Sequence, residues 1–128
     1  MRALVIDDSK TIRRILSKML ADVGFDEVYE AANGVEALDL LQKIERPHIA
    51  LVDWNMPEMD GYTFIRMVRR REDFKDLRLM MVTTETELER VTEALEAGAD
   101  EYVMKPFTRE VILEKLHLLG FGNASAAE

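Results

Sequence analysis

The sequence predicts an α/β fold, in which a parallel β-sheet is covered by helices on both sides. Short, nearly continuous runs of Val, Ile and Leu are typical of strands that are buried on both faces of such a sheet. Between these runs, apolar residues recur at spacings of three and four, which is typical of helices that bury one side. Five strands that alternate with five helices indicate βαβ connections, and therefore a doubly wound parallel sheet.

The predicted strands differ in how apolar they are. The strongest candidates are residues 3–6, 48–52 and 79–82, which consist almost entirely of Ala, Val, Ile, Leu and Met. Residues 27–31 and 101–104 are weaker candidates, because charged residues interrupt them. Together they supply the five strands of the predicted sheet.

Each predicted helix has an apolar stripe that would face the sheet. In chain order, the stripes are Ile12, Ile15, Met19 and Val23, with Leu16 and Leu20 beside them; Val35, Leu38, Leu41 and Ile44; Phe64, Ile65 and Val68; Leu88, Val91 and Leu95; and Val111, Ile112, Leu116 and Leu119.

Local signals mark where several helices begin and end. Asn33, with Glu36 three residues later, is a plausible N-cap of the second helix. Thr86 and Glu89 have the spacing of a capping box, and Thr108 can cap the last helix. Residues that favour helix ends are Gly24, Pro47 and Gly98.

Length and composition restrict the class of protein. A chain of 128 residues suits one domain, and 48% hydrophobic residues exclude a disordered chain. We predict a domain over residues 1–119 and a flexible C-terminal tail over residues 120–128, with no second domain to carry an output. The basic residues Arg66, Arg69, Arg70 and Arg71 are predicted to be a solvated helix end, since cations suit a helix C-terminus.

Charge and cysteine content exclude several partners and sites. With 17 Lys and Arg against 25 Asp and Glu, the net charge of −8 argues against nucleic acid as the main partner. Without cysteine the chain has no disulfide, thiol nucleophile or thiolate metal site. No apolar run approaches the roughly 20 residues of a membrane helix, and the N-terminus does not read as a secretory signal. We therefore expect a cytoplasmic protein that does not bind membranes.

Polar residues follow four of the predicted strands directly. They are Asp7 and Asp8 after the first strand, Asp53 and Asn55, with Trp54 between them, after the third, Thr83 after the fourth, and Lys105 after the fifth. Ligands of open α/β sheets bind beyond the carboxyl ends of the strands, where these side chains are expected to meet. Any one of them alone has an ordinary structural explanation, but all of them at one sheet edge indicate a site.

The chemistry of this set indicates phosphoryl transfer. Three clustered carboxylates repel one another unless a proton or cation intervenes, and an all-oxygen set favours a hard cation such as Mg²⁺. A lysine opposite the carboxylates is explained if a phosphoryl group also arrives, because phosphate requires cations and donors around it. A carboxylate is a known nucleophile in aspartyl phosphate formation. The residues therefore predict a Mg²⁺-dependent site with a carboxylate acceptor.

The chain resembles the receiver domains of two-component response regulators, in particular those that form a whole single-domain chemotaxis regulator. The resemblance covers residues 4–119. The matching stretches are Val5-Ile6-Asp7-Asp8-Ser9, Asp53 to Gly61, Met81-Val82-Thr83, Gly98 to Tyr102, and Lys105-Pro106-Phe107-Thr108. The resemblance implies a five-stranded sheet of order 2-1-3-4-5 with five helices, and a cis peptide bond before Pro106.

The resemblance also implies a role for each site residue. Asp53 would accept a phosphoryl group from a histidine kinase. Asp8 and Asp53 would bind Mg²⁺ directly, as would the backbone carbonyl of Asn55, while Asp7 would act through water. Thr83 and Lys105 would contact the phosphoryl group.

A switch in a protein-binding face is the implied response. Thr83 would move toward the phosphoryl group, and the ring of Tyr102 would turn inward behind it. The face formed by helix four, strand five and helix five would then change its affinity for a downstream protein, with the flagellar motor switch as a candidate. Thr84 departs from the family, in which a small residue usually follows the threonine.

Two alternatives remain beside this function. One is a phosphorelay intermediate or phosphate sink for a kinase outside chemotaxis. The other is a Mg²⁺-dependent phosphatase that uses aspartyl phosphate, related to the haloacid dehalogenases. That family places Asp-x-Asp after strand one, whereas Asp7, Asp8 and Ser9 stand here, and the chain has no cap domain. We therefore expect a receiver that catalyses only its own phosphorylation and dephosphorylation, and not an enzyme acting on other substrates.

Overall fold

A computed structural model describes residues 1–122 and has the predicted α/β architecture. The strands are β1 (Arg2–Ile6), β2 (Glu27–Ala31), β3 (Ile49–Val52), β4 (Arg78–Thr83) and β5 (Glu101–Met104). The helices are α1 (Lys10–Val23), α2 (Gly34–Leu41), α3 (Gly61–Arg69), α4 (Leu88–Ala97) and α5 (Arg109–Leu118). A short 3-10 helix, Glu72–Phe74, connects α3 to β4.

All five strands are parallel, in the order β2-β1-β3-β4-β5. This arrangement confirms the predicted doubly wound sheet. Because the chain reverses direction across the sheet after β2, the switch point lies between β1 and β3. The carboxyl ends of these two strands carry the aspartates of the predicted site.

The sheet divides the core into two layers, and alternate residues of each central strand point into opposite layers. Leu4, Ala50 and Met81 pack with residues of α2, α3 and α4 on one side. Val5 and Leu51 pack with residues of α1 and α5 on the other. Both faces of β1, β3 and β4 are therefore buried, which explains why their sequences are apolar without alternation.

Side chains cap four of the five helices. The oxygens of Ser9, Asn33, Asp60 and Thr108 accept hydrogen bonds from backbone N–H groups in the first turns of α1, α2, α3 and α5. This confirms the caps predicted at Asn33 and Thr108. The capping box predicted at Thr86 is wrong, because α4 begins after Glu87 and no side chain caps it.

Several predicted apolar stripes are only partly buried. In α1 the fully buried residues are Leu16 and Leu20, whereas Ile15 is 41% exposed. In α4 two of the three residues of the predicted stripe are exposed, Leu88 at 79% and Leu95 at 46%. Spacing identified these helices correctly, but it does not reveal which of two adjacent stripes the sheet covers.

The predicted solvated end of α3 needs a correction at Arg69. Its Nη2 donates to Asp100 Oδ2 at 2.9 Å, while Nε and Nη1 donate to the backbone carbonyls of Gly98 and Phe74. Asp100 also accepts from the backbone N–H of Leu79 at 2.9 Å. Arg69 therefore ties α3 to the loop between α4 and β5, whereas Arg66, Arg70 and Arg71 are exposed.

The C-terminal residues lie partly outside the described part of the chain. Phe121 is buried, its ring centroid lies 5.6 Å from that of Phe25, and its backbone N–H donates to Leu116. Residues 123–128 of the predicted tail fall outside the described residues, so the boundary at residue 119 stays a prediction. Within residues 1–122, no helix is both long and apolar enough to cross a membrane.

Candidate phosphoryl and metal site

The polar residues predicted to meet at the sheet edge do so. Asp7, Asp53 and Lys105 directly follow β1, β3 and β5, and Thr83 is the last residue of β4. Asp7, Asp53 and Thr83 are among the few buried polar side chains in the described residues. Parallel strands deliver them to one edge because their carboxyl ends lie together.

Lys105 bridges two carboxylates. Its Nζ lies 2.7 Å from Asp7 Oδ2 and 3.2 Å from Asp53 Oδ2. The second oxygen of each carboxylate is held by the backbone, because Ser9 N–H donates to Asp7 at 2.8 Å and Trp54 N–H donates to Asp53 at 2.7 Å. Both carboxylates are therefore fixed in orientation before any ligand arrives.

Burial and the charges of the neighbouring groups shift the pKa values of Asp53 and Lys105. Burial raises the pKa of Asp53, and the charge of Asp7 raises it further, although Lys105 and Thr83 act in the opposite direction. Burial tends to lower the pKa of Lys105, but its contacts with Asp7 and Asp53 outweigh this and raise it. Lys105 thus keeps its proton, and one ammonium compensates fewer charges than the carboxylates bring.

The carboxylates fit a hard cation. Asp7, Asp8 and Asp53 each place an oxygen within 4.8 Å of the other two. Asp8 is exposed while the others are buried, so the group opens to solvent on one side and waters can complete a coordination shell. Mg²⁺ prefers oxygen ligands and retains several waters, which matches this set.

The loop after β3 approaches α3 so closely that it requires glycine. A Cβ atom on Gly61 would overlap the backbone carbonyl oxygen of Asp53. The N–H of Gly61 donates to the carbonyl of Trp54 at 2.8 Å, and Asp60 caps α3. The first turn of α3 thereby supports the backbone of Asp53.

Thr83 and Tyr102 lie beside the site in a connected arrangement. Thr83 Oγ1 accepts a weak hydrogen bond of 3.4 Å from the backbone N–H of Glu85. The hydroxyl of Tyr102 donates to the backbone carbonyl of Glu85 at 2.7 Å. Burial, followed by the charge of Glu85, raises the pKa of Tyr102 to about 12. Thr84 is exposed, and the Tyr102 ring packs against the core layer formed with α2, α3 and α4.

Asn55 differs from the other predicted site residues in its side-chain contact. It is exposed, and its side-chain amide donates to Glu85 Oε2 at 2.8 Å. Glu85 also forms an ion pair of 3.7 Å with Arg90. Nothing in the sequence singled out Glu85 or Arg90 for this contact, since it depends on how α4 packs.

An apolar surface is exposed on α4, β5 and α5. It comprises Leu88, Leu95, Met104, Val111 and Leu118, which are between 38% and 79% exposed. It lies on the elements that the resemblance assigns to partner binding. The Lys105–Pro106 peptide bond, which joins β5 to the following loop, is cis, as the resemblance implies.

Comparisons with known proteins agree on one family. The family model of the response regulator receiver domain matches residues 3–117. A chemotaxis protein CheY homolog of Campylobacter jejuni is 46% identical over 99% of this chain and 98% of its own length. Chemotaxis protein CheY1 of Helicobacter pylori is 42% identical over 93% of this chain and 96% of its own length.

Solved structures show the same likeness. Chemotaxis protein CheY4 of Vibrio cholerae is 38% identical, with a TM-score of 0.84 over 92% of this chain and 97% of that one. The CheX-CheY-BeF3-Mg+2 complex of Borrelia burgdorferi contains a chain 26% identical, with a TM-score of 0.86 over 93% of this chain and 88% of that one. With a parallel sheet of matching order and a family match over most of its length, the chain belongs to the response regulator receiver domains.

Proposed function

We propose that the protein is a single-domain response regulator that accepts a phosphoryl group on Asp53. The observation that carries this proposal is the carboxylate of Asp53, fixed by Trp54 N–H and Lys105 at the sheet edge. It stands beside Asp7 and Asp8, which can hold a cation. A buried carboxylate with oriented lone pairs is suited to attack on phosphorus.

The phosphodonor in this proposal is a phosphohistidine of a histidine kinase. A carboxylate oxygen of Asp53 forms the new bond to phosphorus, the P–N bond breaks, and the electron pair remains on the imidazole, which takes a proton from water. Lys105 compensates the charge of the phosphoryl oxygens, and Thr83 is placed to donate its hydroxyl proton to one of them.

Asp8, Asp53 and the backbone carbonyl of Asn55 are the proposed direct ligands of Mg²⁺, with Asp7 acting through water. When bound, Mg²⁺ supplies charge neutralisation to the phosphoryl oxygens. The fit of the three carboxylates to a hard cation supports this assignment.

The proposed output is a change in the face formed by α4, β5 and α5. Its exposed apolar residues favour a protein partner over a charged ligand. Thr83 and Tyr102 both contact Glu85, which lies three residues before α4. Movement of Thr83 toward a phosphoryl group would therefore alter the start of that helix.

The names of the relatives favour chemotaxis as the pathway. We propose a downstream protein such as the flagellar motor switch as the partner and the cytoplasm as the location. In this proposal the protein catalyses only its own phosphorylation and dephosphorylation.

Mass spectrometry after incubation with acetyl phosphate tests the acceptor. With Mg²⁺ the protein should gain the mass of one phosphoryl group, and a chelator should prevent it. Asp53→Asn should abolish the gain, whereas Asp39→Asn, which makes the same charge change on the exposed side of α2, should load normally. Loading of Asp53→Asn at the wild-type rate would refute the assignment, and steady turnover of unrelated phosphate esters would favour a phosphatase.

A further inference from the structure

An aromatic pair beside Asp53 is covered by an arginine at each end. The rings of Trp54 and Tyr62 stack with centroids 5.4 Å apart and planes inclined by 8°. The guanidinium of Arg90 lies 5.1 Å from the Trp54 ring centroid, and that of Arg66 lies 5.7 Å from the Tyr62 centroid. Both separations are within the range of cation–π attraction.

The two arginines differ in their second contact. Arg90 Nε lies 3.7 Å from Glu85 Oε1 and its Nη1 lies 3.5 Å from Glu93 Oε1, so its guanidinium touches the Trp54 ring, the carboxylate of Glu85 in the loop before α4, and the carboxylate of Glu93 within α4. Among residues 1–122, no carboxylate forms an ion pair with Arg66. Arg90 therefore joins two loops of the site, whereas Arg66 lies at the end of α3 and covers only a ring.

Glu85 is the point at which Arg90 reaches the site. Its carboxylate accepts from Asn55, its backbone carbonyl accepts from Tyr102, and its N–H donates to Thr83. Arg90 thus contacts two loops beside Asp53. Through Trp54 it restrains the loop after β3, and through Glu85 it restrains the loop after β4.

We propose that Arg90 is a positioning residue for phosphoryl transfer to Asp53. It holds the loop of residues 84–87 over the site and compensates the charge of Glu85. The inference rests on the proposed function. A planar guanidinium can stack on a ring and pair with a carboxylate at once, which an ammonium cannot do equally well. Without it, Glu85 adds an uncompensated negative charge where an anionic phosphodonor must approach.

The first test compares Arg90→Gln with Arg66→Gln, because both remove one positive charge from the same aromatic stack. Arg90→Gln should slow loading by acetyl phosphate in the presence of Mg²⁺ by roughly two- to fivefold, the range that a half-exposed ion pair supports. Arg66→Gln should load at the wild-type rate. Equal loading by both variants would overturn the proposal.

The second test is amide hydrogen exchange without any phosphodonor, so it is independent of the proposed function. Arg90→Gln should speed exchange in residues 84–87, while α4 itself stays protected. Acceleration along the whole helix, or none at all, would overturn the proposal, as would faster exchange with unchanged loading. Arg90→Lys keeps the charge without the planar stack, so its loading rate should fall between those of wild type and Arg90→Gln.

If the wild-type protein itself does not load, or if Asp53→Asn does, the proposed function fails. If wild type loads on Asp53 and Arg90→Gln matches it, only the role of Arg90 fails.

Discussion

Asp53→Asn should stabilise the fold when no divalent cation is bound. Asp53 is 7% exposed, and it shares the sheet edge with Asp7 and Asp8, while Lys105 supplies the ammonium that pairs with it. The substitution removes one negative charge and keeps the shape of the side chain. The acceptor of the Trp54 N–H bond also remains, because an amide oxygen can replace the carboxylate oxygen.

The distances indicate the size of the effect. At an effective dielectric constant of about 20, like charges within 4.8 Å of each other repel by at least about 3.5 kcal/mol, and the ammonium at 3.2 Å attracts Asp53 by about 5 kcal/mol. Because solvent screens the exposed Asp8, the repulsion by the two aspartates about cancels the attraction to Lys105. The cost of burying the charged carboxylate then decides the sign, since burial is the largest cause of its raised pKa. The new amide N–H₂ faces Lys105, which reduces the gain. We therefore expect the free energy of unfolding to rise by about 1 kcal/mol.

The pH dependence has a definite sign. Because burial and Asp7 raise the pKa of Asp53, the folded chain holds this proton more tightly than the unfolded chain. The contribution of this group to stability is therefore present at low pH and is lost as the pH rises through its folded pKa. The advantage of Asp53→Asn over wild type should shrink as the pH falls through that pKa toward 3.8, the ordinary value.

Urea unfolding at neutral pH, with a chelator and then with Mg²⁺, measures both parts of the prediction. Mg²⁺ at ten times its Kd should stabilise wild type by about 1.4 kcal/mol, and Asp53→Asn should lose most of that gain. Asp39→Asn, on the exposed side of α2, should behave as wild type. A less stable Asp53→Asn in chelator, or an undiminished response to Mg²⁺, would refute this account of the site.

Three further predictions concern the support of the site and the sheet. Gly61→Ala should lower the free energy of unfolding by about 3 kcal/mol in urea, because its Cβ would overlap the Asp53 carbonyl; a loss below about 0.5 kcal/mol would contradict the close approach. The tyrosinate absorbance of wild type minus that of Tyr102→Phe isolates the titration of Tyr102, and its midpoint should lie near pH 12. Since that pKa is raised, the stability linked to it should be lost as the pH rises from about 10 toward 12. A titration midpoint near the ordinary 10.0 would show that burial does not raise the pKa of the Tyr102 hydroxyl. Arg69→Met should cost about 2–4 kcal/mol, since it removes a half-buried ion pair and two bonds to carbonyls, whereas Arg70→Met should change stability by less than about 0.5 kcal/mol.

The fold was predictable because its strongest signals are local. The strands β1, β3 and β4 are buried on both faces, so their composition alone identifies them. Strand order is not local, and it came from the resemblance. The exposed Leu88 and Leu95 show a further limit, because periodicity predicts a helix but not what covers its apolar side.

The site was predictable to the extent that it depends on strand ends. Parallel strands bring Asp7, Asp53 and Lys105 to one edge whatever the packing around them. The contacts of Glu85 and Arg90 depend instead on the angle at which α4 meets the sheet and on the orientation of the Trp54 ring. No spacing in the sequence encodes either quantity.

The start of α4 combines three properties that a movable element needs. It is the one α-helix in residues 1–122 that no side chain caps, and an N-cap is worth about 1 kcal/mol, so its first turn lacks a restraint that the other four α-helices have. Its first residue, Leu88, is 79% exposed, so little packing opposes a shift. Glu85, three residues earlier, bonds to both Thr83 and Tyr102. A change of charge at Asp53 therefore reaches an uncapped helix end through the polar contacts of Glu85, and the exposed apolar residues of α4 begin at that end.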